Sequence, residues 1–448
     1  MTTRMEIDAL QARFEGVAKT VGEQLAAASP RFVTLVAKWS KEDLVPGLSD
    51  MDFRVVCDEQ TTAEDWVRID WHVGRIHRQM VADHPEWNRI NEHTAGAGVN
   101  LAELRGERFH HPEYPVWTSW WGRGEWVGEL QARTLARPLD ATDEHYHLSR
   151  FLAYYSPYIH GIDPPINLGE FEPKYALHSR CWHYYAPPML SAATLLAGRH
   201  FPGKREGLLW LAENGFAAPQ TLAVLEQVEA HYESPEQRDP QRLASFEQYL
   251  FTAFGELLEP VREAVRLLKL PGGATRQQLQ QHLERNLADS LVEFLEHVRF
   301  ARIRAGRYYF YLNAPTHFSA GRQLIGEQLW TRKLALSTFA SLGDLQGERG
   351  LSTVERLQNF GVEPSGQEIE ALGVMSRLAA AQVADGTLRE LYAEAIEWYP
   401  DFYRLMERTF QRLSERTAMQ NGGPVEIDRA DRLVSRTASP TGSVPLTD

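Results

Sequence analysis

At 448 residues the chain is long enough for about three domains of ordinary size, each with its own core. A composition of 43% hydrophobic, 24% charged and 10% aromatic residues excludes a disordered or fibrous protein, and a net charge of −13 excludes bulk binding of phosphate backbones without a local basic patch. Two cysteines, Cys57 and Cys181, are too few for a disulfide framework or a Cys-rich zinc site; with no signal-like N-terminus and no apolar run of about 18 residues, a cytoplasmic protein without a membrane span is expected.

Ile7, Leu10, Phe14, Val17, Val21 and Leu25 recur at three- and four-residue steps and predict an amphipathic helix ending before Ser29-Pro30. Arg31–Trp39 is β-branched and aromatic and reads as a strand, Ser40–Gly47 as a loop, and Met51–Cys57 as a second, alternating strand. Trp66, Ile69, Val73, Ile76 and Met80 return to helical spacing, which places Asp70 on a helix that His84-Pro85 stops. Next come a short strand candidate, Trp87–Glu92, a glycine-containing turn at Gly96 and Gly98, and an aromatic block. Trp117, Trp120, Trp121 and Trp126 of that block read as core rather than as a stacking platform. The N-terminal α/β unit closes near residue 130.

Residues 131–235 read as a mostly helical domain, followed by a polar linker, Glu233–Pro240. In 236–313, a helix over 255–269, a Pro271-Gly-Gly273 break and a capping-box spacing at Thr275-x-x-Gln278 precede a helix from Asp289 or Ser290 to Val298. Arg299–Leu312 then reads as strand, turn, strand, and the whole resembles a winged helix-turn-helix. Its recognition helix would carry Asp289, Glu293 and Glu296, the wrong sign for a DNA groove, while Arg299, Arg302, Arg304 and Arg307 fall on the wing. A packing or dimerisation role is therefore expected; nucleic acid is not an expected partner, and a homodimer is left open. Residues 314–420 predict C-terminal helices, with a stripe through Leu388, Leu391, Ala395, Trp398 and Phe402, and 421–448 predicts a disordered tail. The predicted fold class is α+β, predominantly helical, with a mixed N-terminal sheet.

Chemistry concentrates at Ser49-Asp-Met-Asp52, where a loop enters an alternating strand and places Asp50 and Asp52 on one face. Two carboxylates there can hold Mg²⁺, with substrate phosphates completing the coordination. The run Leu35–Ser40, eight residues ending in Leu48, and Ser49–Val56 resemble the signature of the nucleotidyltransferase fold, shared by DNA polymerase beta-like enzymes and antibiotic nucleotidyltransferases such as kanamycin nucleotidyltransferase. The resemblance implies a Mg²⁺-dependent transfer from a nucleoside triphosphate, ATP first among them, to a small polar acceptor, with Ser40 and Ser49 at the nucleotide. Two departures stand out: Trp39 replaces the family's glycine, and Asp43 and Leu44 replace the small residue farther on.

The family's third carboxylate, metal ligand or base, is expected at Glu92; the rivals are Asp70, read as a solvated or capping charge, and Glu103, which lies at a capping-box spacing from Asn100. Phe201–Glu206 resembles the helical domain beside the nucleotide in the antibiotic-modifying members. There Lys204 and Arg205, with Arg180, would neutralise triphosphate, against a plainer reading as cations at a helix C-terminus. His110, His111, His145 and His147 lack ligand spacing and read as surface or hydrogen-bonded residues. The rival functions are a degenerate nucleotidyltransferase-fold regulator or assembly protein and a transferase acting on a protein or tRNA end.

Overall fold

The chain, seen in a computed structural model, is described over residues 4–420 except 39–42, 44–48, 89, 105–110, 161–185, 217–219, 234–239, 267–274, 276–289, 315–316, 318–319, 333, 336–337, 340–350 and 382–386. Helices dominate, around one four-stranded mixed sheet of order β3-β2-β1-β4. Strand β1 (Phe32–Lys38) runs antiparallel to β2 (Phe53–Cys57), with Leu35 opposite Val55, and to β4 (Trp117–Gly122), with Lys38 opposite Trp117. Strand β3 (Ala97–Asn100) lies parallel to β2, Arg54 opposite Ala97.

The two-residue period of a strand sorts the sheet's side chains into two layers. Leu35, Ala37, Phe53, Val55 and Cys57 meet Phe14, Val17 and Val21 of α1 (Arg4–Ala28) and Trp66, Ile69 and Val73 of α2 (Ala63–Asp83). Val36, Val56 and Val99 face Tyr114, Trp117 and, from α4 (Trp126–Ala136), Val127 and Leu130. Covered on both faces, β1 is buried along its whole length, which explains its near-continuous apolar run. Each such fully buried side chain contributes about 1.5–3 kcal/mol of transfer free energy. Helix α2 starts at a capping box in which Thr62 and Asp65 exchange hydrogen bonds.

The first core continues into the C-terminal helices: α11 (Ser290–Ala301), α12 (Arg304–Asn313), α13 (Ala320–Arg332), α14 (Thr353–Phe360), α15 (Gly366–Ala380) and α16 (Leu388–Gln420). Helices α2 and α12 touch backbone to backbone, since a Cβ on Gly74 would lie 2.4 Å from the Gly306 oxygen. Asp70 fastens that contact, its carboxylate accepting from the N–H of Ala305 at 3.0 Å and of Gly306 at 2.7 Å. A second core belongs to α5 (Ala141–His160), α6 (Ala186–Ala197), α7 (Lys204–Glu213), α8 (Gln220–Glu233), α9 (Pro240–Glu256) and α10 (Leu258–Ala264). Leu225 before the polar linker and Phe246, Leu250 and Phe254 after it share this core.

Four local expectations are corrected. Arg299–Leu312 forms no wing: it is the end of α11 and most of α12, because its arginines are buried and paired rather than solvated. Arg299 and Arg302 bind Glu103 of α3 (Leu101–Leu104), at 2.9 and 2.6 Å, and Arg304 and Arg307 bind Glu327. Trp87–Glu92 is a 3₁₀ turn from Pro85 to Trp87 followed by further turns, and the third strand comes later, at Ala97–Asn100. Gly98 makes that strand fit, since a Cβ there would lie 2.6 Å from the Trp66 ring. The helix expected over 255–269 is split at Leu257 between α9 and α10. Lys204 and Arg205 open α7 rather than close a helix, with Gly203 as its extended N-cap. The tail 421–448 and the residues 276–289 of the helix expected after Thr275 lie outside the described residues.

Candidate metal centre

Asp50 and Asp52 flank Met51, whose side chain enters the first core while its N–H donates to the Ile90 carbonyl at 2.9 Å. On the other side of the chain, the Lys38 N–H donates to the Asp52 carbonyl at 3.2 Å. With Met51 turned inward, strand alternation leaves the two carboxylates together at the start of β2, both half-buried.

The third member is His93, from the turn before β3. Its Nδ1–H donates to the Thr94 carbonyl at 2.7 Å, which directs Nε2 toward the carboxylates, 2.9 Å from Asp52 Oδ1 and 3.7 Å from Asp50 Oδ2. One donor atom from each of Asp50, Asp52 and His93 lies within 4.8 Å of the others, a geometry that can hold a metal ion. A backbone carbonyl fixing the far nitrogen of a ligating imidazole is the usual way to set its tautomer and orientation. The C-terminal helices pin this turn in their turn: Arg307 donates to the Thr94 carbonyl at 3.2 Å, and His317 Nε2 lies 2.9 Å from the Asn91 carbonyl.

Burial raises the Asp52 pKa, but the hydrogen bond and charge of His93, with Arg54 and Lys38 behind, outweigh it and hold the carboxyl well below its usual range. Burial lowers the His93 pKa, and its hydrogen bond to Asp52 more than reverses that. Arg54 and Lys38 are themselves tied to Glu113: Arg54 Nη2 reaches both carboxylate oxygens at 3.0 Å, and Lys38 Nζ reaches one at 2.9 Å. Glu113 is held well below the carboxylate range, burial being outweighed by Arg54 and Lys38.

Glu92 is buried and accepts from Gln323 of α13 at 3.0 Å; it does not belong to the three-residue cluster. Asp70 caps α12, and burial keeps its pKa well above the usual value against the two backbone N–H groups. Glu103 is buried between Arg299 and Arg302. Ser49 is half-buried beside Asp50, whereas Ser40, Trp39 and Arg180 lie outside the described residues. Lys204 is buried at the first turn of α7, and its backbone N–H donates to both oxygens of Asp43, at 3.1 and 3.0 Å. The anion position at that helix N-terminus is thus taken by a carboxylate from the β1–β2 loop. His111 approaches Glu296 at 3.4 Å and His147 Nδ1 lies 3.3 Å from Ser191 Oγ, while His110 lies outside the described residues.

Neither His93 nor Glu113 was anticipated. Each stands in a turn without hydrophobic period; only the one-residue separation of His93 from Glu92 hinted at it.

No protein-family model, curated protein or solved structure matches the chain. Among the described residues, no helix is long and apolar enough to cross a membrane.

Proposed function

We propose that the chain is a divalent-metal-dependent nucleotidyltransferase, moving a nucleoside monophosphate from a nucleoside triphosphate to a hydroxyl or amino group of a small polar metabolite and releasing pyrophosphate. The observation that carries this reading is the convergence of Asp50, Asp52 and His93 at the start of β2. A bound divalent ion would neutralise phosphate oxygens and favour attack at phosphorus. The carboxylates supply hard oxygen donors, and His93, once it gives up the proton shared with Asp52, supplies a nitrogen. That donor set suits Mn²⁺ or Zn²⁺ at least as well as Mg²⁺.

Glu92 keeps the role of base toward the acceptor in this reading, oriented by Gln323. Ser40, Ser49, Arg180 and the Lys204 ammonium are the proposed contacts to nucleotide; the backbone of α7 is already engaged by Asp43. A second reading, a catalytically degenerate regulator or assembly protein, is favoured by the His93–Asp52 pair, which balances its own charge at 2.9 Å, and by Trp39 at the family's glycine position.

Calorimetric titration of each nucleoside triphosphate with Mg²⁺, with Mn²⁺ and with chelator, on the native chain and on Asp50→Asn/Asp52→Asn, separates the two. Metal-dependent binding lost in the double variant supports the transferase and opens an acceptor screen by pyrophosphate release. Absence of binding to every triphosphate retires it.

A further inference from the structure

His93 differs from Asp50 and Asp52 in how it is placed. Residues 91–95, which carry it, belong to no helix or strand, and the hydrogen bond that orients its ring runs only one residue along the chain, to the Thr94 carbonyl at 2.7 Å. Such a bond fixes the imidazole relative to its own backbone. It fixes the imidazole relative to the two carboxylates only where the carbonyl is itself held.

Arg307 holds it. From α12, 213 residues farther along the chain, its Nη1 donates to the same Thr94 oxygen at 3.2 Å. A carbonyl oxygen has two acceptor sites, and the two donors fill both. Thr94 is fully buried, which shields the pair of bonds from solvent. The guanidinium is anchored in turn, its Nε and Nη2 each 2.8 Å from Glu327 Oε1, and its planar fork carries that anchorage to Nη1 without a flexible joint. His317 and Gln323 hold other parts of the turn, the Asn91 carbonyl and the Glu92 carboxylate, neither of which binds the His93 ring.

Arg304 supplies an internal contrast. It pairs with the other oxygen of the same Glu327, but its guanidinium lies over the Phe300 and Trp330 rings, 5.7 and 5.4 Å from their centroids, and among the described residues it makes no hydrogen bond to the turn.

We propose, on the metal-centre reading of Asp50, Asp52 and His93, that Arg307 is a positioning residue of that centre, acting through the Thr94 carbonyl to keep His93 Nε2 facing the carboxylates. It touches none of the three donor atoms, so its influence on metal affinity passes through His93 and disappears with it.

The test is calorimetric titration of the full chain with Mn²⁺, as native protein, as Asp50→Asn/Asp52→Asn, as Arg307→Lys, Arg307→Met and Arg304→Lys, and with each Arg307 variant combined with His93→Gln. Arg307→Lys keeps a charge for Glu327 but has no fork to span Glu327 and Thr94 together. Arg307→Met leaves Glu327 in a one-to-one pair with Arg304, so a variant remains should lysine disturb the core. Both are expected to weaken Mn²⁺ binding by about tenfold or more, the usual consequence of removing an outer partner of a metal-binding histidine. Arg304→Lys disturbs the same buried cluster without reaching the turn and is expected to change the affinity by less than about twofold. In the His93→Gln background the Arg307 substitutions are expected to add no further loss, because effects that share one path do not add. Native affinity in the folded Arg307 variants, an equal loss in Arg304→Lys, or a full Arg307 effect in the absence of His93 would overturn the positioning role while leaving the centre standing. No Mn²⁺ binding by the native chain, or binding unchanged in Asp50→Asn/Asp52→Asn, would retire the centre itself and the positioning role with it.

Discussion

Glu327 and Asp52 are both carboxylates drawn out of bulk water beside cations, yet they sit in clusters of opposite balance. Both Glu327 oxygens are taken, by Arg304 and Arg307, so one buried anion answers two guanidiniums. At the start of β2, two carboxylates meet one imidazole, with Arg54 and Lys38 behind Asp52. The first cluster is fully buried within helices, whereas the second is half-buried. On the proposed reading, the difference separates buried charge that holds a fold together from carboxylates placed to meet an ion from solution.

The largest expected effect breaks the first cluster. Glu327→Gln strands Arg304 and Arg307 and should cost about 3–5 kcal/mol in chemical denaturation; a loss below about 1 kcal/mol would erase the contrast. The same pairing has a pH signature. Burial raises the Glu327 pKa, but the two arginines outweigh it and leave the folded value below the ordinary 4.5. Its stabilisation is therefore complete above that pH and is lost as pH falls through the folded value, so Glu327→Gln should flatten the acid limb of stability against pH.

In the second cluster the sensitivity should lie in ligand rather than fold. Asp50→Asn/Asp52→Asn is expected to lower Mn²⁺ affinity by at least about a hundredfold, close to 3 kcal/mol, while stability in chelator stays within about 1 kcal/mol of native. Unchanged Mn²⁺ binding would refute the centre. His93→Gln should cost about tenfold in Mn²⁺ affinity and less for Mg²⁺, which takes nitrogen ligands reluctantly; calorimetry with both ions sharpens the assignment of the third ligand. The smallest effect falls between the regions: Asp43→Ala removes the cap of α7 and should destabilise by about 1 kcal/mol, read from thermal unfolding.

The difference between the clusters also explains what could be read from the chain alone. Asp50 and Asp52 were legible because two residues on one strand share a face whatever the rest of the fold does. His93 was not, since its turn is placed by Arg307 and His317 from beyond α11. The four arginines from Arg299 to Arg307 were misleading in the same way. Charged residues normally mark solvent, and only the arrival of Glu103 and Glu327 from distant elements makes a buried, helical position tolerable for them.

Local periodicity by itself determined α1, β1, β2 and α2, their amphipathic spacing and the shared face of Asp50 and Asp52, because those features depend on backbone geometry over a few residues. Tertiary structure alone decided that β3 begins at Ala97, where Gly98 meets the Trp66 ring, and that Asp70 caps a helix more than two hundred residues away. It also decided that His93 rather than Glu92 joins the carboxylates. Each of these rests on a contact between segments remote in the chain, and no local pattern encodes which remote partner will supply the missing charge, donor or space.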